Sequence, residues 1–482
     1  MLKNLLKEGF MDNLYDLEFI EETPKYLQIS NHIKKLIEQK KIGDGEKLPT
    51  IRSYSEILSV NKDTIINAYK KLVSDGFAYQ KMGSGTFAKR REVTLNFKKE
   101  YSNTFRKLAR KTNNKDIIDF AGETAGNMFF PIEEFKLMIN KVLDRDGVEA
   151  LTEQNPFGYE KLRSTINKCF WDESLDEEDI LIVSGAQQGI DIASKSILNI
   201  NDNVIVEKPT YGGALSVFKF RRANIFEVDM ESDGINIESF EKVLKKNKIT
   251  CFYTMSYFQN PTGASYSIEK KKKILALAEK YDFYIIEDDY LSELIYDERV
   301  DYIPFKWLDK KDRVIYIKSF SKVFLPGIRL GYMITPKKLN ESMLNSKFNT
   351  DIATSSLMQR ALELYISEGE WRENIQKLNK ECKERYIIME KLIDEELGDM
   401  VSYDKPGGGF TFYLKIKNNK INSKELFFRL REKNIFITPG VLFFRNMKDG
   451  NNTFRIGFYQ ADKEKIKKGL REIRKEFLAC HT

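Results

Sequence analysis

The sequence predicts a small winged helix-turn-helix domain followed by a large α/β domain, and three observations support this prediction. At 482 residues, the chain is too long for one hydrophobic core, since single cores stop growing near ~250–300 residues. Basic charge is concentrated early: residues 23–115 hold 21 Lys and Arg against 8 Asp and Glu. Beyond residue 116, short apolar runs alternate with helical patterns, which is typical of a largely parallel sheet.

Three helical patterns open the predicted small domain. The first covers residues 24–43, with Ile29 and Ile33 on one face, and the second runs from Pro49 or Thr50 to Leu58. Asn61 is the expected N-cap of the third helix, and Asp75-Gly76 is its expected end.

A small hairpin is predicted after the third helix. The apolar runs 77–79 and 86–88 flank Gly83-Ser84-Gly85, a turn. Three helices and a hairpin form a winged helix-turn-helix layout, and its basic surplus suits a surface that meets phosphates. Charge alone leaves a merely solvated face as the alternative. The linker over 91–115 is expected to be flexible or partly helical.

The small domain resembles the GntR family of bacterial regulators. The resemblance covers residues 24–88 and rests on the strings P-K-Y-L-Q-I, K-L-P-T-I-R, V-N-K-D-T-I-I-N-A-Y and G-S-G-T-F. It implies an operator of double-stranded DNA as the partner and the third helix as the recognition helix. The residues implied to face DNA are Arg52, Asn61, Lys62, Asp63 and Thr64, with Gly83, Ser84 and Gly85 at the wing. Arg and Lys pair with guanine edges or phosphates, and Asn pairs with adenine.

Five apolar runs predict the strands of the large domain: 180–183, 204–206, 251–255, 283–286 and 314–317. Helices such as 268–281 lie between them, and residues 375–482 predict a smaller α+β unit. The predicted organisation is an extension over 1–22, a winged helix over 23–90, a linker over 91–115 and an effector domain over 116–482.

Residues that can bind a phosphate and an aldehyde follow these strands. The string Ser184-Gly185-Ala186-Gln187 opens a helix, where backbone N–H groups and the helix dipole favour an anion. Lys322 supplies an amine, the group that forms Schiff bases with aldehydes, and Ser319 and Arg329 can hold a phosphate. Asp288 follows an apolar strand, where a carboxylate can keep a pyridine nitrogen protonated.

The large domain resembles the class I aminotransferases of fold type I over about 116–482. The strings S-G-A-Q-Q, N-P-T-G, E-D-D-Y and S-F-S-K carry the resemblance, in that order. It implies pyridoxal 5′-phosphate as cofactor, held as a Schiff base by Lys322. The implied cofactor-binding residues are Ala186, Gln187, Tyr211, Asn260, Asp288, Tyr290, Ser319, Ser321, Lys322 and Arg329.

The resemblance also implies individual roles in this site. Asp288 pairs with the pyridine nitrogen, Tyr211 stacks on the ring, and Arg455 binds the carboxylate of an amino acid. One position departs from the family pattern, which has a Tyr five residues before Gly158, reaching the phosphate of the partner subunit. This chain has Glu153 there, and a carboxylate does not replace that contact.

A GntR-type winged helix joined to an aminotransferase-like domain is the layout of the MocR subfamily. The expected function is a pyridoxal phosphate-dependent, DNA-binding transcriptional regulator that acts as a homodimer and senses an amino acid or pyridoxal phosphate itself. An active aminotransferase with an appended winged helix is the alternative, although little turnover is expected. An empty, purely dimerising large domain is a third hypothesis, and the presence of Lys322, Asp288 and Arg455 argues against it.

The amino-acid composition argues against a histidine-based zinc site, disulfide bonds and a membrane span. Two histidines are too few for a zinc site built on several of them. The four cysteines are scattered, which predicts reduced thiols in a cytoplasmic protein. The sequence has no long apolar run, so no membrane span is expected. Either Met1 or Met11 can be the start.

Overall fold

A computed structural model describes residues 14–20, 23–38, 41–43, 45–74, 77–81, 83–88, 94–109, 116–122, 130–417 and 420–479. The chain divides into two compact units, Met1–Thr112 and Asn113–Thr482. Met1, Met11 and the expected helix end at Asp75-Gly76 lie outside the described residues. Among the described helices, none is long and apolar enough to cross a membrane.

The first unit contains the predicted winged helix-turn-helix. Its elements are helices α1 (Lys25–Glu38), α2 (Ile51–Ile57) and α3 (Lys62–Ser74), strands β1 (Ala78–Lys81) and β2 (Gly85–Ala88), and helix α4 (Thr94–Ala109) in the predicted linker. Thr50 Oγ1 accepts a hydrogen bond from Ser53 N at 3.1 Å, and Asn61 Oδ1 accepts one from Asp63 N at 3.3 Å. Both expected helix starts are confirmed. Strands β1 and β2 pair antiparallel, as predicted for the hairpin.

Residues 14–20 pack against the helices of the first unit. The Tyr15 side chain is buried and meets the Tyr54 ring edge-on, with 5.6 Å between ring centroids. Gln28 binds both backbone groups of Ile20: its Oε1 accepts from Ile20 N at 3.0 Å and its Nε2 donates to Ile20 O at 2.8 Å. This segment therefore belongs to the same hydrophobic core as Ile33 and Ile65.

An eight-stranded sheet forms the centre of the second unit. Its strands are β4 (Ile180–Val183), β5 (Asn203–Lys208), β6 (Asn224–Glu231), β7 (Gly234–Ile235), β8 (Cys251–Thr254), β9 (Tyr284–Asp289), β10 (Val314–Ser319) and β11 (Gly331–Ile334). Their order is β4-β11-β10-β9-β8-β5-β6-β7. Strand β11 and the edge strand β7 run in the opposite direction to the other six strands of this sheet. All five predicted strands are confirmed. Their continuous burial, as in β4, β8 and β10, fits a parallel sheet covered on both faces.

Helices cover the sheet and extend beyond it. They are α5 (Ile132–Asp146), α6 (Glu149–Thr152), α7 (Glu160–Trp171), α8 (Ala186–Ile197), α9 (Gly212–Phe220), α10 (Ile237–Lys246), α11 (Ile268–Tyr281), α12 (Phe305–Leu308), α13 (Asn340–Asp351), α14 (Ser356–Ser367), α15 (Glu370–Leu397), α16 (Ser423–Glu432) and α17 (Lys463–Leu478). Helix α11 has the predicted bounds. It begins after Ser267, whose Oγ accepts from Lys270 N at 3.4 Å.

The C-terminal part forms the smaller α+β unit that was predicted. A four-stranded antiparallel sheet has the order β12 (Val401–Ser402), β13 (Thr411–Ile416), β16 (Thr453–Gly457) and β15 (Thr438–Pro439). Strand β3 (Ile118–Asp119) pairs in parallel with β14 (Ile435–Phe436). The start of the second unit is thereby joined to its C-terminal part, which brings residues near 120 next to β16.

Candidate functional site

The predicted cofactor residues lie at the carboxyl ends of parallel strands. Asp288 is near the end of β9, Ser319 ends β10, and Tyr211 follows β5. Helix α8 starts at Ala186, soon after β4 ends. Ligands of open α/β sheets bind in the crevice at this edge, because loops there converge from several strands.

Asp288 is a buried carboxylate, and only one of its two oxygens accepts a hydrogen bond from the protein. Its Oδ2 accepts a hydrogen bond from the Tyr253 hydroxyl at 2.8 Å, whereas its Oδ1 is buried and has no hydrogen-bond partner. Burial, the largest effect, raises the pKa of Asp288 to about 7. A buried acceptor without a partner is costly, so a donor such as a protonated ring nitrogen fits this position.

Lys322 contributes a positive charge to the same site. The residue is half-buried in the turn after β10, and its charge lowers the pKa of Asp288, opposing burial. Lys322 and Asp288 therefore interact electrostatically. This is expected if Lys322 forms the Schiff base and Asp288 pairs with the ring nitrogen of the same cofactor.

Arg329, Ser321 and Ser319 form an anion cradle together with the start of α8. Arg329 donates from Nη1 to Ser321 Oγ at 3.3 Å and from Nη2 to Ser184 O at 3.0 Å. Ser319 Oγ accepts from Ser321 N at 3.3 Å. Gly185 has a φ of +91°, and a Cβ there would lie 3.0 Å from Arg329 Nη2. Only glycine allows this close approach without strain.

Helix α8 provides the other half of the cradle. The amides of its first residues, Ala186 and Gln187, have no intrahelical acceptor, and the helix dipole favours an anion beside them. The Gln187 side chain accepts from the Tyr211 hydroxyl at 3.2 Å. A Cβ on Gly213 would lie 2.3 Å from the Tyr211 ring, so this glycine lets the ring lie close to the backbone.

Arg455 lies beside Asn260. The guanidinium is buried on β16 and donates from Nη1 to Asn260 Oδ1 at 2.5 Å and from Nη2 to Thr438 Oγ1 at 3.4 Å. It also stacks over the Phe443 ring at 5.1 Å from the centroid. The structure therefore brings the predicted carboxylate-binding arginine against a predicted cofactor residue. Tyr290 donates its hydroxyl proton to Phe258 O at 2.9 Å.

Sequence reasoning missed two buried residues near this edge. Tyr253 holds Asp288, but no local motif marks a tyrosine inside an apolar strand. Glu207 accepts hydrogen bonds from Thr254 Oγ1 and Gln259 Nε2 at 2.6 and 2.9 Å, and burial raises its pKa to about 7. Gln259 also donates to Pro209 O at 2.7 Å, which joins the loops that carry Asn260 and Tyr211.

Glu153, at the position where the family pattern has a Tyr, pairs within its own chain. Its Oε2 accepts a hydrogen bond from Arg360, whose guanidinium also contacts Asp146 Oδ2 at 2.6 Å and lies over the Tyr159 ring. The Glu153 carboxylate is therefore part of an ion-pair network with Arg360 and Asp146.

The described residues fit pyridoxal phosphate. The buried Asp288 Oδ1 needs a donor, Lys322 supplies the amine, and the Gly185 turn shapes the cradle for a phosphate. When bound, this cofactor supplies an aldehyde and an electron-accepting pyridinium ring. Asp288, Lys322 and the cradle residues would hold it by its nitrogen, its aldehyde carbon and its phosphate, respectively.

The first unit presents a separate polar surface. Asn61, Lys62 and Asp63 are exposed at the start of α3, and Thr64 is half-buried behind them. At the wing, Gly83 and Gly85 have φ values of +74° and +116°, and Ser84 N donates to Lys81 O at 2.9 Å.

Arg52 lies on α2, in the same unit. It is exposed and pairs with Glu56 at 3.1 Å along the helix. An exposed pair of this kind contributes little stability, so it can exchange for another anion.

Comparison with family models matches both units. Residues 127–473 match the family of class I and II aminotransferases, and residues 25–88 match the gntR family of bacterial regulatory proteins. The chain therefore belongs to the class I and II aminotransferase family and carries a GntR helix-turn-helix domain, which together make the MocR layout. The cofactor of this family is pyridoxal phosphate.

Known proteins are similar to each part. The uncharacterized HTH-type transcriptional regulator YdfD of Bacillus subtilis is 29% identical, over 94% of this chain and 96% of its own. Aromatic-amino-acid aminotransferase 1 of Thermococcus litoralis is 29% identical over 79% of this chain and 94% of its own. The crystal structure of Pyrococcus horikoshii kynurenine aminotransferase has a TM-score of 0.73 and 31% identity, covering 78% of this chain and 94% of that one.

Proposed function

We propose that this protein is a transcriptional regulator whose large domain binds pyridoxal phosphate and senses an amino acid, and whose winged helix binds operator DNA. The observation that carries the proposal is the buried, unpartnered Asp288 Oδ1 beside Lys322, in one chain with an exposed recognition helix. A purely dimerising large domain would have no reason to keep an unsatisfied buried carboxylate, which costs stability.

The site residues take the following roles in this proposal. Lys322 would supply the amine that attaches the cofactor, and Asp288 Oδ1 would accept from its ring nitrogen while Tyr253 fixes the other oxygen. Tyr211 would pack against the ring. The Ala186 and Gln187 amides, together with Ser319, Ser321 and Arg329, would hold the phosphate.

Two further residues, Asn260 and Tyr290, would bind the hydroxyl group on the ring of pyridoxal phosphate. Because Asn260 turns its oxygen to Arg455, its NH2 group is the one that can donate to a ring oxygen. The Tyr290 hydroxyl donates its single proton to Phe258 O. To donate to the ring hydroxyl instead, Tyr290 must break this hydrogen bond.

Arg455 is the proposed ligand sensor. Its guanidinium can bind a carboxylate with two parallel hydrogen bonds, which is the strongest way to recognise an amino acid. Because Arg455 also contacts Asn260, a bound carboxylate changes a residue that touches the cofactor. Ligand arrival is thereby coupled to the cofactor environment. Pyridoxal phosphate alone is the second candidate signal.

DNA recognition is proposed for the start of α3 and the wing. Lys62 and Asn61 would reach base edges or phosphates in the major groove, with Asp63 and Thr64 beside them. Arg52 would exchange its Glu56 contact for DNA. Gly83, Ser84 and Gly85 would approach the backbone of the duplex. Two copies in a homodimer would present two such surfaces to two half-sites.

An active aminotransferase remains the second candidate function, because several similar proteins carry that name. The test uses the full chain, pyridoxal phosphate, a panel of amino acids, a 2-oxo acid as amino-group acceptor, and DNA from upstream of its own gene. A regulator is expected to develop visible absorbance with the cofactor and to change its DNA affinity with one amino acid. Rapid conversion of amino acids to keto acids without any DNA response would favour the enzyme. The Lys322→Ala variant should develop no such absorbance, and Lys338→Ala, at an exposed lysine, is its control.

A further inference from the structure

A second buried ion cluster lies next to the cofactor site and has no part in the functions described above. Lys318 Nζ lies 3.1 Å from Asp289 Oδ1 and 2.9 Å from Glu293 Oε1, and it donates to Ser292 Oγ at 2.7 Å. The hydroxyls of Tyr302 and Tyr316 both donate to Asp289 Oδ2 at 2.7 Å.

Strand register places this cluster on the reverse face of the sheet from Asp288. In the parallel pair of β9 and β10, Ile317 lies opposite Asp288 and Lys318 lies opposite Asp289. Successive side chains of a strand point to opposite faces. The cluster therefore acts on Asp288 through charge, across the thickness of one strand.

The cluster holds one cation and two carboxyl groups. Burial raises the pKa of Asp289, but the charge of Lys318 and the hydrogen bonds from Tyr302 and Tyr316 outweigh burial and lower it. Burial raises the pKa of Glu293, whose Oε2 has no hydrogen-bond partner. Lys318 thus holds both carboxyl groups, and Asp289 is the one whose pKa is lowered.

Four groups act on Asp288 besides its burial. Tyr253 binds it, Asp289 adjoins it in β9, Lys318 is in β10 and Lys322 follows β10. Burial and the charge of Asp289 raise the pKa of Asp288, whereas Tyr253, Lys318 and Lys322 lower it. Without Lys318, the negative charge of Asp289 would stand uncompensated directly behind Asp288.

We propose that Lys318 and Asp289 form a reverse-face charge pair in which Lys318 neutralises Asp289, so that Asp288 can stay negatively charged toward the cofactor ring. They are positioning residues, which touch neither the cofactor nor a ligand, and they determine how firmly the ring nitrogen holds its proton. The inference rests on the proposed role of Asp288.

The test measures pyridoxal phosphate binding to full-chain variants by absorbance, together with the 15N shift of a ring-labelled cofactor, which reports protonation of its nitrogen. Lys318→Met is expected to weaken binding by about tenfold or more and to move the 15N shift toward the neutral ring. The double variant Lys318→Met/Asp289→Asn removes both charges and is expected to return within about threefold of wild type. Lys338→Met, at an exposed lysine outside the cluster, is the control and is expected to bind like wild type.

The outcomes separate this inference from the cofactor site itself. Wild-type binding and 15N shift in a folded Lys318→Met protein would overturn the charge pair while leaving the site intact. A double variant at least as weak as Lys318→Met would also overturn it, because a purely structural role is not rescued by removing a second residue. If Lys318→Met does not fold, Asp289→Asn decides. Loss of the negative charge behind Asp288 should let the ring nitrogen keep its proton to a higher pH in a 15N titration, and a wild-type titration would overturn the charge pair. Failure of wild type to bind the cofactor would instead refute the proposed function.

Discussion

Asp288→Asn is expected to stabilise the cofactor-free protein while weakening cofactor binding. Burial raises the pKa of Asp288 from 3.8 to about 7, so the folded protein keeps a proton that the unfolded chain has already released. The contribution of Asp288 to stability therefore falls as the pH rises from about 4 to about 7, and it stays low above that. The two pKa values correspond to a cost of at most about 4 kcal/mol. Asparagine keeps an acceptor for Tyr253 and removes the charge.

Thermal unfolding of wild type and Asp288→Asn at pH 5 and pH 8 measures this effect. At pH 5 the unfolded chain has already released its proton, and about a third of this cost is present, so the variant should melt only slightly higher than wild type. At pH 8 the cofactor-free variant should melt several degrees higher. With saturating pyridoxal phosphate the order should reverse, since only a carboxylate pairs strongly with a protonated ring nitrogen.

Glu207→Gln provides the control for burial alone. Burial also raises the pKa of Glu207 to about 7, but its oxygens are occupied by protein donors such as Tyr266. Its melting temperature relative to wild type should also rise between pH 5 and pH 8, without a change in cofactor affinity. The melting-temperature difference between cofactor-free Asp288→Asn and wild type should be larger at pH 8 than at pH 5. An equal difference at both pH values would refute the account of a charged, destabilising Asp288.

Three further predictions concern single side chains. Lys322→Ala should abolish the visible absorbance that develops with pyridoxal phosphate, because no amine remains to attach it; a retained band would contradict this role. Arg455→Ala should keep the cofactor band and DNA binding but lose the response to an amino acid, and a wild-type response would favour pyridoxal phosphate as the signal. Lys62→Ala and Arg52→Ala should each weaken operator binding by roughly 1–3 kcal/mol if they read bases. Equal losses on unrelated DNA, with a smaller salt dependence, would indicate phosphate contacts instead.

Local sequence patterns predicted most elements of the fold, because their causes are local. The apolar runs of β4 and β10 and the Asn61 cap of α3 are visible in a few consecutive residues. The packing of residues 14–20 was not visible. Its anchor, Tyr15, is buried by residues far along the chain, such as Tyr54, and only the folded structure brings them together.

Contacts between residues far apart in the chain were also not predicted for the site. Motifs identified Asp288, Lys322 and Arg329, since each stands in a recognisable string at a strand end. Tyr253 and Lys318 were missed because their contacts depend on which residues of neighbouring strands lie side by side, and a shift of one residue would turn each to the other face. The contact between Arg455 and Asn260 likewise joins distant segments.

The most direct test of the central claim follows cofactor absorbance and DNA binding in one titration. Purified full-chain protein, loaded with pyridoxal phosphate, is titrated with individual amino acids while its affinity for DNA upstream of its own gene is measured. A complete switch between two states, from 1:99 to 99:1, requires about 5.5 kcal/mol of differential binding. The account predicts that one amino acid changes the absorbance and the DNA affinity over the same concentration range, and that Arg455→Ala loses both changes. Amino acids that alter the absorbance through rapid turnover, with DNA affinity unchanged throughout, would contradict it.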